Sequence, residues 1–130
     1  MSMTAEERKA IVSYRLERAD STFSDTQKLI ELGMCATAAN RLYYSFYYAA
    51  SALLISKALI THTHAGLQTM MHLHFVKTQS LSYEEGALMR RLFTLRQESD
   101  YDDFIDISEE EIRSLLPMTR NLIDKIKTLI

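Results

Sequence analysis

The stretch from Ala38 to Leu54 limits the fold of this chain more than any other part of the sequence. It carries five aromatic residues within six positions, a single full charge at Arg41, and no glycine or proline. Its alanines are strong helix formers, and its length is typical of a helix, not a strand. A bilayer span needs ~20 largely apolar residues, and this stretch is shorter and rich in hydroxyl groups. Because a helix that is apolar on every side must be surrounded by protein, the stretch predicts the central helix of a bundle.

The composition also favours long helices. The 130 residues contain only one proline and three glycines, whereas an all-β chain needs turn residues at short intervals. The length predicts a single domain, residues 1–130. The net charge of −2 indicates no general attraction to nucleic acid or to a membrane, although a local basic pocket remains compatible with it.

The number of cysteines and the composition of the first ten residues indicate the cellular compartment of the protein. The single Cys35 cannot form an internal disulfide, which suits a reducing environment. The first ten residues contain no apolar signal segment. We therefore expect a cytoplasmic protein.

Helix boundaries follow from capping signals. Thr4, Ser82 and Ser108 each precede a glutamate by three positions and predict capping boxes. Short connections make successive helices antiparallel, so the predicted fold is an all-α, antiparallel up-and-down bundle of about five helices. The expected segments are helix 1 at 4–32 with a bend near 21–24, helix 2 at 35–59, helix 3 at 65–78, helix 4 from 82, a loop at 99–107, and helix 5 at 108–130 with a kink or break at Pro117.

The four histidines do not predict a metal site. They form two pairs, His62 with His64 and His72 with His74, and a spacing of two points to different helix faces. His64 and His72 with an acidic residue could still meet in three dimensions, but no paired metal-binding motif supports this. We expect surface or loop histidines, no metal and no cofactor.

Arg96 lies beside the apolar stripe of helix 4, so its charge needs a partner. A structural ion pair with Asp100 or a nearby aspartate is one interpretation, and a clamp for phosphate is the other. Arg41 has the same two interpretations, and two inward arginines favour an anion pocket. Tyr101 is a poor general base near neutral pH and suits hydrogen bonding to a phosphate. The tyrosines of helix 2, Tyr44 among them, could stack bases, but core packing is the stronger interpretation.

Taken together, these residues resemble a HEPN domain, most closely the small stand-alone branch of prokaryotes. The resemblance rests on RLYYSFYYAASALL at 41–54, on the loop with His64 and Gly66, and on Arg96, Asp100 and Tyr101, and it covers roughly residues 8–128. It implies a helical bundle that forms a homodimer and pairs with a small nucleotidyltransferase in a toxin–antitoxin system. Active members are metal-independent ribonucleases, in which an Arg stabilises charge on the scissile phosphate and a His four to six residues later moves a proton.

The chain departs from that motif at the histidine. Arg96 matches the family arginine, but the position five residues later is Tyr101, and no histidine follows His74. His64 would supply an imidazole only if the fold brings its loop beside Arg96.

Three functional hypotheses result. The first is a dimeric module, partnered by a nucleotidyltransferase, that binds a nucleotide or RNA phosphate near Arg96 with Arg41, Tyr44 and Asp100; the missing histidine favours it. The second is a metal-independent endoribonuclease toxin with an atypical R-x4-Y motif that uses Arg96, Tyr101 and His64. The third is a purely structural dimerisation module in which the arginines only pair with aspartates.

Overall fold

The computed structural model describes residues 3–101 and 107–130, and all regular structure within these ranges is helical. A single π-helical turn, His72–Val76, follows the third helix directly. The described ranges contain no strand, which confirms the predicted all-α class. The five α-helices are α1 (Ala5–Glu31), α2 (Cys35–Ser56), α3 (His64–Met71), α4 (Tyr83–Tyr101) and α5 (Glu109–Leu129).

The second helix, α2, is the centre of the bundle. It packs along most of α1 and also contacts α3, α4 and α5. Phe46 and Leu53 are fully buried, and fully buried alanines such as Ala38 and Ala49 allow neighbouring helices to approach closely. The predicted central position of helix 2 is therefore confirmed. No helix in the described part of the chain is both long enough and apolar enough to cross a membrane.

The helix ends follow the capping signals of the sequence. Thr4 Oγ1 accepts from the amide of Glu7, and the Glu7 carboxylate accepts from the amide of Thr4. Ser82 and Glu85 form the same reciprocal pair at the start of α4. Because Gly33 adopts a φ of 75°, the chain can leave α1 through the paired hydrogen bonds that typically close a helix C-terminus.

Two predicted boundaries at the ends of helices were wrong. Helix 2 stops at Ser56 because Ala58 adopts a φ of 59°, and the amide of Leu59 bonds back to the carbonyl of Leu54. This is the turn used after α1, here without a glycine to signal it. The predicted loop at 99–107 is also wrong in its first three residues, which continue α4 to Tyr101; residues 102–106 lie outside the described part of the chain.

Two positions at which the sequence predicts a bend, or a kink or break, do not interrupt their helices. α1 is continuous through residues 21–24, where Thr22 and Phe23 are buried in the bundle. α5 is continuous through Pro117, since its apolar face, which includes Leu115 and Leu122, packs against the core on both sides of the proline. Tertiary packing thus holds together a helix that loses one hydrogen bond at its proline.

Replacing a core aromatic of α2 tests the central position of this helix. Phe46→Ala should lower the free energy of unfolding by ~3–5 kcal/mol, because it removes a fully buried ring and leaves a cavity. Tyr14→Ala, on α1 with its side chain 62% exposed, should change it by no more than ~0.5 kcal/mol. Urea denaturation followed by circular dichroism, at one fixed protein concentration, measures both. Equal effects of the two substitutions would contradict the enclosed position of α2.

Candidate functional site

A group of polar and aromatic side chains gathers where α2, the start of α3 and the end of α4 meet. On α2 the members recur at spacings of three and four, so they share one helix face. Arg96 and Asp100 are one turn apart on α4, and His64 is the first residue of α3. We call this group the Arg96 cluster; it consists of Asn40, Arg41, Tyr43, Tyr44, Tyr47, His64, Arg96 and Asp100.

Arg96 is largely withdrawn from solvent, with 15% of its side chain exposed. Its Nε atom lies 3.5 Å from a carboxylate oxygen of Asp100 and 3.5 Å from the hydroxyl oxygen of Tyr44. Both separations are longer than a typical charge-assisted hydrogen bond of about 2.8 Å. Both interpretations of this arginine, an ion pair with Asp100 and a phosphate clamp, therefore remain compatible with the structure. Arg96 lies beside Asp100, and it also faces the aromatic side chains of α2.

A polar relay links Arg96 to the second arginine. Asn40 Nδ2 donates to the other oxygen of Asp100 at 2.7 Å. Asn40 Oδ1 accepts from Arg41 Nε at 3.1 Å and from Arg41 Nη2 at 2.8 Å. The Arg41 guanidinium also lies 4.6 Å from the centre of the Tyr44 ring, within range of a cation–π interaction. The Asp100 carboxylate and the Asn40 amide therefore lie between two permanent cations, one from each arginine.

His64 is held in an aromatic cage. Its Nδ1 atom is 2.8 Å from the hydroxyl oxygen of Tyr43. The rings of Tyr43, Tyr44 and Tyr47 lie 5.5, 5.6 and 4.9 Å from the imidazole, measured between ring centres. Thr63 fixes the start of α3, because its hydroxyl accepts from the amide of Gly66. His64 thus differs from the surface or loop histidine that we expected.

The charge state of His64 follows from this cage. Burial lowers the pKa of His64 below 6.5, the positive charge of Arg96 lowers it further, and Asp100 partly opposes both effects. Burial also raises the pKa of Tyr43, so this phenol stays neutral. A neutral imidazole whose Nδ1 bonds to a hydroxyl presents Nε2 as either an acceptor or a donor, depending on the tautomer. In the tautomer whose Nδ1–H donates to the Tyr43 hydroxyl oxygen, Nε2 of the neutral ring can accept a proton near pH 7.

The fold brings most of the predicted site residues together: Arg41, Tyr44, His64, Arg96 and Asp100 are all members of the cluster. Tyr101 ends α4, and its side chain lies outside the described part of the structure. Within the described residues no group of three or more His, Cys, Asp or Glu side chains could hold a metal ion.

Sequence reasoning missed Asn40, Tyr43 and Tyr47 as members of the site. Asn40 had a weak signal, because asparagine is a poor helix former and lies one turn before Tyr44. Tyr43 and Tyr47 belong to the tyrosines that could stack bases, but aromatic residues at helical spacing favour core packing, so neither was singled out. Chemically, the cluster combines cations, aromatic faces and a neutral imidazole, which suits a phosphate with an attached base.

Sequence comparisons place the chain beside known proteins. The profile of the family described as "HEPN domain" matches residues 12–129. A "UPF0332 protein" from Thermotoga maritima is 31% identical over 124 residues, which cover 95% of this chain and 94% of that protein. "Putative toxin MJ0142" from Methanocaldococcus jannaschii is 30% identical over 112 residues, 86% of this chain and 76% of that protein. A second protein of that organism, "Putative toxin MJ0605", is also 30% identical over 112 residues, 86% of this chain and 83% of its own length.

The lowered pKa of His64 predicts that acid destabilises the fold. As the pH falls through 6.5, the unfolded chain binds a proton at this residue while the folded chain resists it, so the free energy of unfolding decreases. The loss continues until the pH passes the lower pKa of the folded state. Burial lowers the pKa of His72 as well, which adds to the effect in the same direction.

His64→Gln should therefore flatten part of the decrease in urea midpoint between about pH 7 and pH 5, since glutamine does not titrate. His62→Gln, at an exposed position two residues earlier, is the matched control and should follow the wild-type curve. A His64→Gln curve that is parallel to wild type would contradict the proposed environment of this imidazole.

Proposed function

Because this chain belongs to the HEPN domain family, we propose that it is a toxin-type HEPN module that binds RNA phosphate at the Arg96 cluster. Two relatives that carry toxin names support the toxin-type assignment. The single observation that carries the binding proposal is the placement of Arg96. Its side chain is only 15% exposed, and its guanidinium lies between the carboxylate of Asp100 and the hydroxyl of Tyr44, beside several aromatic rings.

A phosphate would compete with Asp100 for Arg96. The contact between them is long, at 3.5 Å, and the other oxygen of Asp100 accepts from Asn40 at 2.7 Å. The carboxylate therefore keeps a hydrogen-bond partner when the guanidinium turns to a ligand. A guanidinium pairs with phosphate through two parallel hydrogen bonds, and restricted solvent strengthens them. Arg41, linked to Asp100 through Asn40, supplies a second positive charge nearby.

The assembly belongs to the same proposal. In keeping with the family resemblance, we expect a homodimer and a nucleotidyltransferase-type protein as partner. A dimer would bring two copies of the Arg96 cluster into one assembly and so extend the surface available to a single RNA. Light scattering that gives a monomer mass would contradict this part of the proposal.

RNA binding in EDTA tests the role of Arg96. Fluorescence anisotropy with a labelled single-stranded RNA should show that Arg96→Ala weakens binding about tenfold or more, since a charge-assisted contact to phosphate is lost. Asp100→Asn should tighten binding, because the competing carboxylate becomes neutral. Arg113→Ala is the matched control: Arg113 pairs with Glu109 one turn away on α5 and is 50% exposed. Equal affinity of Arg96→Ala and Arg113→Ala would refute the site and favour the structural role.

A second function, metal-independent RNA cleavage, is favoured by the position of His64. Its neutral imidazole can take the proton of a 2′-hydroxyl, whose oxygen then attacks the adjacent phosphorus. The bond from phosphorus to the 5′-oxygen breaks, this oxygen takes a proton from water, and a 2′,3′-cyclic phosphate remains. Arg96 would stabilise the negative charge that develops on the phosphate oxygens. Here His64 takes the part of the histidine that the family motif would have at position 101.

RNA cleavage in EDTA tests this second function. His64→Ala should lower the cleavage rate ~100-fold or more while binding persists, because a positioned proton acceptor is lost. His62→Ala should cleave at the wild-type rate. The wild-type rate should rise with pH through the lowered pKa of His64 and level off near neutrality, and the residual rate of Arg96→Ala should rise at a higher pH. An inactive wild-type protein would exclude cleavage and leave the binding function standing.

A further inference from the structure

A groove lies next to the Arg96 cluster, between α4 on one side and α3 with its π-helical turn on the other. Its volume is about 600 Å³, within the range of ~300–1,000 Å³ typical of small-molecule sites. Its wall includes Gln68, His72, Arg90 and Phe93. We call it the Gln68 groove.

The Gln68 groove adjoins the Arg96 cluster along both helices. On α3 and the π-helical turn, His64, Gln68 and His72 lie on successive turns. On α4, Phe93 lines the groove, and its ring centre is 6.3 Å from that of Tyr43, which bonds to His64. Gln97, which also lines the groove, directly follows Arg96 on α4.

Two residues of the wall each carry a buried polar atom that has no hydrogen-bond partner among the described residues: Gln68 Oε1 and His72 Nε2. The Gln68 side chain is only 8% exposed, and its Nε2 donates to the carbonyl of Met89 at 3.2 Å. This bond fixes the orientation of the amide, so Oε1 faces away from Met89 as an acceptor. Buried polar groups are almost always paired, so two orphans on one wall require an explanation.

The backbone around His72 is specialised. His72 begins the π-helical turn, a feature frequently found at functional sites. Opposite it on α4 is Gly86, where a Cβ atom would lie 3.3 Å from His72 Cε1 and from both Val76 methyls. The missing side chain at Gly86 therefore lets the imidazole pack tightly on α4. Burial lowers the pKa of His72, and the nearby Arg90 lowers it further, so the ring is neutral near pH 7.

We propose that the Gln68 groove holds an unpaired nucleobase with an amino group, adenine or cytosine, next to the phosphate bound at Arg96. The amino group donates to Gln68 Oε1, and the ring nitrogen beside it accepts from His72 Nε2–H. Adenine and cytosine present this donor and acceptor side by side on their Watson–Crick edges, whereas uracil and guanine each offer a carbonyl oxygen beside a protonated ring nitrogen. The ring lies against Phe93, and Arg90 faces the following phosphate. This inference rests on the proposed RNA-binding function.

Access to the two orphan atoms requires a small adjustment. Both atoms are buried. In the proposed complex, Thr69 and Gln97, which line the same groove and are exposed, rotate away so that the base reaches both atoms. A base that enters then pairs both orphans.

Binding of short RNAs that differ at one position tests the proposal. Oligonucleotides of one length with A, C, G, U or an abasic unit at that position are compared by anisotropy in EDTA. Wild type should prefer A and C over U and the abasic unit about tenfold, since the favoured bases pair two otherwise unsatisfied groups. Gln68→Leu should abolish this preference, and Gln27→Leu, at an exposed position of α1, should keep it.

Arg96→Ala separates the two proposals. If this substitution weakens the binding of all the RNAs by the same factor and leaves the preference for A and C unchanged, both the phosphate site and the base groove are supported. If wild type binds through Arg96 without any base preference, the groove proposal is overturned and the phosphate site stands. If Gln68→Leu changes the oligomeric state and leaves the base preference intact, the groove is a protein interface and the proposal is also overturned.

Titration with free nucleosides decides the case in which RNA binding does not depend on Arg96. Adenosine should shift the side-chain amide resonance of Gln68 and the ring resonances of His72, and uridine should not. The loss of the His72 shifts in Gln68→Leu, with an unchanged melting temperature, would support the groove without the phosphate site. The absence of shifts with every nucleoside would overturn the proposal.

Discussion

The hydrogen bond between Tyr43 and His64 couples the core of this protein to its candidate site. The Tyr43 ring is completely buried in the middle of the bundle, so its hydroxyl must find a partner within the protein. The partner is Nδ1 of His64, at 2.8 Å. Formation of the core therefore fixes the first residue of α3 and orients its imidazole. The same contact explains why a tyrosine, and not a phenylalanine, suits this buried position.

Charge in the cluster is partly compensated locally, because two arginines share one carboxylate. Asp100 lies between Arg96 and Asn40, and Asn40 passes the contact on to Arg41. Two permanent cations can therefore be half-buried in a protein whose net charge is −2. Net charge describes long-range attraction, whereas affinity for one phosphate depends on the few groups within reach of it. The weak overall charge thus sets no limit on a local anion site.

Much of the fold could be predicted because its signals are local. Capping residues such as Thr4 and Ser82 act within one turn, and the apolar surface of α2 requires enclosure wherever the helix lies. The errors arise where local preference was overruled. Ala58 takes a left-handed conformation that alanine rarely adopts, and Ser99 stays helical although its segment is rich in poor helix formers. No residue pattern distinguishes the π-helical turn from an ordinary continuation of α3.

The candidate site was less accessible to sequence reasoning, because its members meet only through packing. Arg96 could be singled out as a charge beside an apolar stripe. Its proximity to the imidazole of His64 depends on how α3 docks against α2 and α4, and no periodicity encodes that. Gln68 gave no signal, and His72 was considered only as a metal ligand, because on a short amphipathic helix both resemble solvent-facing residues. What makes them notable is an unpaired atom on each, which only coordinates reveal.

The position of the imidazole has a consequence for how the site is maintained. In the family motif, the arginine and the histidine are close in sequence, so their separation is set over a few residues. Here Arg96 and His64 are on different helices, and their relation depends on the packing of α3 against the tyrosines of α2. A substitution that loosens α3, such as one at its capping residue Thr63, would separate the two groups without touching either of them. The packing of α3 against α2 and α4 therefore keeps the candidate site assembled.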